Sequence, residues 1–143
     1  MKRIVLLFLL CLSVSVSFAQ KAQKQTTWKT VSDDGMVSIS YDTNIIRDSK
    51  GRHIVWVKAV YHTSDWQNYF ARQIGSRSPV TVTRTKAMYD KDYNYAMVRQ
   101  VKCYNKAGKL LYDSGDDTSA GWEVVNSSDP VGIVGEFLSS SQY

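Results

Sequence analysis

Along most of the chain, apolar and polar residues alternate in short runs separated by turn chemistry. Val37, Ile39 and Tyr41 share one parity, and Ser38, Ser40 and Asp42 the other. That period of two predicts a half-buried strand over 36–42. A short strand over 28–32 precedes it, joined through Asp33-Asp34-Gly35, which suits a tight hairpin. The longest β-like run is 53–62. Val55, Val57, Ala59 and Tyr61 make one face apolar, and Ile54, Trp56 and Val60 make the other face apolar too, broken by Lys58 and His62. Strands apolar on both faces are usually covered on both. A helix is therefore expected over the second face, with Trp56 packed beneath it.

Residues 79–83 read as a short edge segment, since Pro79 suits an edge, and 89–93 as a loop. A second long strand is predicted over 94–104, with Lys102 and Tyr104 on its more polar side. A turn at 105–108 returns the chain into 109–113, and 121–125 forms a last short strand. Two helices complete the pattern. Ser64 reads as an N-cap with Gln67 as its reciprocal partner; Trp66, Tyr69, Phe70 and Ile74 form a stripe, and Gly75 is the stop near 64–75. Asp129 and Pro130 open a C-terminal helix striped by Val131, Val134, Phe137 and Leu138. Its Gly132 and Gly135 each weaken it by about 1 kcal/mol relative to Ala, so it needs a sheet face to pack on. The fold class is α+β: a single antiparallel sheet of about six strands with a C-terminal helix on one face and a second helix near 64–75.

The N-terminus follows a different pattern. Lys2 and Arg3, the apolar run 4–12 and Ser17-Phe18-Ala19 predict a cleaved signal peptide over 1–19. The apolar run is shorter than the roughly 20 residues of a membrane span. Leu10 before Cys11 disfavours a lipid anchor. A flexible arm over 20–27 and one domain over 28–143 follow, and no transmembrane segment is predicted after signal removal. Cleavage leaves 124 of the 143 residues and takes the net charge from +5 to +3 by removing Lys2 and Arg3. So mild a charge on an exported chain argues against a nucleic-acid partner. With Cys11 removed, Cys103 has no partner for an internal disulfide. It is read as a small core hydrophobe, with an intermolecular disulfide or a reactive thiol as the alternative.

No catalytic motif stands out. His53 and His62 lie about 30 Å apart along a strand, too far to share a metal, and are expected at the surface. Asp33-Asp34, Asp90/Asp92 and Asp116-Asp117 sit at turns without the spacing of a calcium loop. The expectation is a protein that is not an enzyme and uses no cofactor. Between Arg72 and Tyr95 the chain is basic and rich in tyrosine, and two readings stand. One is a solvated loop with tyrosines leaning on the sheet edge. The other is a rim binding an anionic or proteinaceous partner, carried by Arg72, Arg77, Arg84, Lys86, Tyr89 and Tyr93.

Tyr41-Asp42-Thr43-Asn44-Ile45-Ile46-Arg47, followed across a Gly turn by Val55-Trp56-Val57-Lys58, resembles the surface-adhesin protein E family. Val101-Lys102-Cys103, Lys109-Leu110-Leu111 and Trp122-Glu123-Val124-Val125 with Asp129-Pro130 follow in that family's order. The resemblance implies a six-stranded antiparallel sheet with a C-terminal helix against it. It also implies an exported protein at the bacterial surface, some relatives binding host matrix or serum proteins. The family ties its helix to the strand cysteine by a disulfide; here residues 138–143 offer Cys103 no partner. The expected function is an exported, adhesin-like binding protein for host extracellular-matrix or serum proteins, located in the periplasm or at the cell surface, with homodimerisation open. The alternative is a periplasmic accessory protein that binds an envelope component.

Overall fold

Alternation, turn and cap signals resolve into ten elements in the computed structural model, which describes residues 25–142. The expected signal peptide and residues 20–24 of the expected arm lie outside the described residues. The strands are β1 (Trp28–Asp33), β2 (Val37–Asp42), β3 (Ile46–Arg47), β4 (His53–Tyr61), β5 (Val82–Tyr89), β6 (Tyr95–Tyr104), β7 (Leu110–Asp113) and β8 (Glu123–Val124). Helix α1 (Ser64–Gln73) follows β4, and α2 (Pro130–Ser140) closes the fold. One antiparallel sheet runs in the order β1–β2–β4–β5–β6–β7. The two shortest strands extend its ladders: β3 pairs with β4 at Ile54 and His53, beyond the reach of β2, and β8 pairs with β6 at Tyr95 and Ala96, beyond the reach of β7.

The odd residues of β4, from His53 to Tyr61, are all buried, and the even ones are half-buried. Val55 and Val57 join Ile39, Tyr41, Ala87 and Tyr89 from neighbouring strands, and Val134 and Leu138 of α2 complete the core. The helix cap is the one the sequence announces: Asp129 Oδ1 accepts from the Gly132 amide at 2.8 Å, with Pro130 in the first turn. Both helix glycines face neighbours. A Cβ on Gly135 would lie 2.8 Å from Tyr89 Cε1 and 2.9 Å from Val125 Cγ1, and one on Gly132 would collide with the Asn126 carbonyl. The glycines therefore cost intrinsic helicity but allow α2 to approach the sheet closely. Tyr89 Oη donates to the Val131 carbonyl at 2.6 Å and anchors the helix start. Packing and this hydrogen bond hold the helix to the sheet.

The structure corrects several expectations. Residues 79–83 are not an edge segment: β5 runs to Tyr89 and is flanked by β4 and β6 along its length. Pro79 precedes the ladder, so its missing N–H removes no strand bond. The cap of α1 is Thr63, without a side-chain hydrogen bond; Gln67 Nε2 donates instead to the Tyr61 carbonyl at 2.7 Å. Gly75 is the stop, at φ +68, with its amide on Arg72 O and that of Ser76 on Ala71 O. That pair of bonds is a Schellman closure, for which the left-handed backbone favours glycine.

No helix covers the second face of β4. Phe70, Ala71 and Ile74 of α1 pack with Cys103 and Val80, and Phe70 stacks on Tyr61. Those strand residues share the face that carries α2, so both helices lie on one side. The other side is open, and Trp56 is on it.

Candidate functional site

Pairing register aligns the open face in rows. Thr30 is opposite Ser40, Ser40 opposite Lys58, Lys58 opposite Arg84, Arg84 opposite Lys102, and Lys102 opposite Asp113. Three cations thus stand side by side on β4, β5 and β6. Like charges directly opposite one another destabilise a sheet, so this row carries an electrostatic cost. Burial pushes the Lys58 ammonium below its usual pKa, and the neighbouring Arg84 adds to the effect.

Aromatic rings hold these cations. Lys58 Nζ lies 4.5 Å from the Trp28 ring centre; Arg84 lies 5.6 Å from Trp28 and 5.1 Å from Tyr104; Lys102 Nζ lies 5.7 Å from Trp56. Each such contact offers about 0.5–1 kcal/mol at an exposed site and restrains a long side chain. The side-chain stems cover the indoles, which explains how the face stays stable without a helix over it. Trp28, Asp42, Trp56, Arg84, Lys102 and Tyr104 line a shallow depression of about 200 Å³.

Asp42 lines the depression on the β2 side with its Oδ1 taken by the Asn44 amide and side chain, and among the described residues ion pairs to the cluster form only on the β7 side. Asp116 accepts from Lys86 Nζ at 2.8 Å and from Arg99 Nε and Nη2 at 2.9 and 3.0 Å. Arg99 is the extra residue of a bulge where Lys86 pairs with Gln100 but Ala87 pairs with Val98. The hydrogen bond from Lys86, followed by the charges of Lys86 and Arg99, holds the Asp116 carboxyl below its usual pKa. Lys102 lies 3.9 Å from Asp113. Among the described residues, Lys58 and Arg84 have no acid within 4 Å.

The six residues expected to form a rim separate into three groups. Arg84 and Lys86 lie on β5 in the open face. Arg72 is exposed on α1, and Arg77 is exposed just beyond it, on the helix side of the sheet. Tyr89 is fully buried and Tyr93 is 4% exposed, so neither offers a partner a surface. Tyr93 adopts φ +59 in the loop between β5 and β6, where Asp90 Oδ1 accepts the Asn94 and Tyr95 amides. There it stacks on His53 with centroids 4.5 Å apart. His53 is therefore a buried core residue rather than the surface residue expected, whereas His62 is exposed as expected.

Lys58, Lys102, Trp28, Trp56 and Tyr104 complete the face that the basic segment alone did not reveal. Their signal was parity: Trp56 and Lys58 share one face of a strand, as do Lys102 and Tyr104. Joining those strands into rows required the pairing register.

Two other places bring reactive or apolar groups together. His62 Nε2 lies 2.8 Å from Ser38 Oγ, a hydroxyl–imidazole contact of the kind nucleophilic catalysis uses. It is open to solvent, and among the described residues no carboxylate hydrogen-bonds the ring to orient it. A groove of about 490 Å³ on the helix side is lined by Phe70, Ile74, Val98, Val101 and Val131. Two of its polar pairs are internal, Tyr61 Oη with Thr83 Oγ1 and Asp129 with the Gly132 amide. Cys103 is buried there and burial raises its thiol pKa, which favours a packing role. Among the described residues no three His, Cys, Asp or Glu side chains converge as metal ligands, and no helix is long and apolar enough to cross a membrane.

Compared with protein-family models, curated proteins and solved structures, the chain gives no match. The likeness to the surface-adhesin protein E family thus rests on its short motifs and their order.

Proposed function

We propose that this chain is an exported, non-enzymatic binding protein of adhesin type whose open sheet face holds an acidic partner. The observation that carries the reading is the Lys58–Arg84–Lys102 row, seated on Trp28, Tyr104 and Trp56 and short of acids at its centre. A surface that keeps three adjacent cations against their own repulsion is arranged for an anion that relieves it. Restraint of the side chains by the rings lowers the entropy that binding must remove. The signal-peptide pattern expected over 1–19 and the motif resemblance support export and an adhesive role, with host matrix or serum proteins as the expected partners.

Charge reversal tests the surface. Lys58→Glu with Arg84→Glu is expected to abolish binding of the purified chain to an immobilised matrix or serum-protein preparation, whereas Arg72→Glu with Arg77→Glu leaves it intact. Equal binding by both double variants would remove the open face from the reading. Protease treatment of intact cells tests location: cleavage of the chain fits surface display, and protection assigns it to the periplasm, where an envelope component becomes the partner.

A further inference from the structure

We propose that the groove on the helix side of the sheet is a second binding site, which takes the alkyl chain of a single-chain amphiphile with an uncharged or cationic head. It is independent of the cation row, which lies on the opposite face. The bulge at Arg99 turns both Val98 and Val101 to the helix side, where Val98 pairs with Ala87 and Val101 with Thr85. Phe70 and Ile74 of α1 wall the groove at one end of these strands, and Val131 at the start of α2 walls it at the other. The floor between the helices stays uncovered. Val98 is 43% exposed, whereas Ala87 in the core with α2 and Cys103 in the cluster with α1 are buried. A concavity of about 490 Å³ with mostly apolar walls is of the size that holds small ligands, roughly 300–1,000 Å³.

Its walls select an alkyl chain. The floor is a sheet face, whose backbone groups are already bonded to neighbouring strands. An extended peptide laid on it would bring N–H and C=O groups to a surface without partners for them. A docking helix needs several turns to place its anchors, and one turn with its side chains already fills roughly 500 Å³, from a diameter of about 11 Å and a pitch of about 5.4 Å. A hydrocarbon chain carries no polar group and bends to follow the walls. Tyr61 and Thr83 on the floor hydrogen-bond each other, so they ask nothing of an apolar ligand. The rim sets the head. Glu123 and Asp129 border the groove, and no lysine or arginine lines it. Asp129 Oδ1 is taken by the Gly132 amide, but its negative charge remains. A carboxylate or phosphate head would be repelled there, whereas a sugar or ammonium head would not.

The test is calorimetric titration of the purified exported chain, below the micelle concentration of each probe, with alkyl maltosides and alkyltrimethylammonium ions from octyl to dodecyl, and with laurate. Binding of one chain per protein is expected. Affinity should rise about fourfold per added methylene, the factor equivalent to about 0.8 kcal/mol, and level off once the groove is full. At equal chain length the maltoside and the ammonium should bind more tightly than laurate. Val98→Asp, at a half-exposed position, is expected to lower affinity at least tenfold with the melting temperature held within a few degrees. Thr85→Val, which removes the floor hydroxyl that an alkyl chain would desolvate, is expected to raise it severalfold. Lys58→Ala with Arg84→Ala on the open face should leave it unchanged. No saturable binding, affinity indifferent to chain length, tightest binding of laurate, or binding indifferent to both groove variants overturns the inference. Loss in the Lys58/Arg84 variant but not in Val98→Asp moves the amphiphile to the open face and overturns it equally.

Discussion

Gly135→Ala sets two effects against each other in one methyl group. Alanine favours the helix over glycine by about 1 kcal/mol, so from sequence alone the change is stabilising. In the folded chain the new Cβ would stand 2.8 Å from Tyr89 Cε1 and 2.9 Å from Val125 Cγ1. Neither neighbour retreats freely. Tyr89 is fully buried with its hydroxyl bound to Val131 O at 2.6 Å, and Val125 is fixed by its amide bond to Asn94 O at 2.9 Å. Overpacking a tight site costs about 1–3 kcal/mol, and two simultaneous close approaches place this one in the upper part of that range. The expected net effect is a loss of roughly 1–2 kcal/mol. For a domain of this size that is a fall in melting temperature on the order of 4–8 °C. Thermal and urea unfolding followed by circular dichroism measure it. Combining Gly135→Ala with Val125→Ala is expected to recover part of the loss, with a favourable coupling of about 0.5–1 kcal/mol between contacting sites. A Gly135→Ala protein more stable than the parent by the full propensity gain would refute the close approach of α2 to the sheet.

Three further outcomes are expected. Tyr89→Phe removes the hydrogen bond to the Val131 carbonyl and is expected to cost about 1 kcal/mol; an unchanged urea midpoint would deny the anchor. Asp116 has a folded pKa lowered chiefly by Lys86, so its stabilisation is present above the usual carboxylate pKa and is lost as pH falls through the lowered folded value. Asp116→Asn should therefore flatten the decline in stability below about pH 4, and identical acid-unfolding profiles would contradict the ion pair. Native Cys103, 2% exposed with its thiol pKa raised by burial, should react with iodoacetamide only as fast as the domain opens; rapid labelling under native conditions would place it at the surface.

Local chemistry made much of the fold legible before any coordinates. The alternation in 36–42, the Asp129-Pro130 cap and the Gly75 stop are each decided by neighbours within a few residues, and the structure agrees with them. Failures occurred where a distant element decides. Pro79 suggested an edge because proline cannot donate to a ladder, but it stands before β5, whose ladder begins at Val82 and runs to β4 and β6 on both sides. Tyr89 and Tyr93 suggested a rim because tyrosine favours interfaces, but β5 places Tyr89 on the buried face with Ala87, against α2, and the loop at Asp90 turns Tyr93 inward to His53.

The even face of β4 shows why the site itself stayed hidden. An apolar count over Ile54, Trp56 and Val60 calls for a cover, and the count is right: those positions are half-buried. The cover, however, is made of lysine and arginine stems lying on aromatic rings rather than of a helix. A composition rule cannot distinguish the two, because it scores Lys58 as an interruption of the apolar run. Register distinguishes them, since it sets Lys58, Arg84 and Lys102 on adjacent strands of one row. What reads as a flaw in one strand becomes, when three strands are aligned, the most strongly charged feature of the open face. Because cation–ring contacts offset only part of the like-charge repulsion, replacing Arg84 with serine should change stability by less than about 1 kcal/mol in either direction while lowering affinity for a polyanion severalfold. A large loss of stability without loss of binding would instead make the row a structural device and leave the face without a ligand.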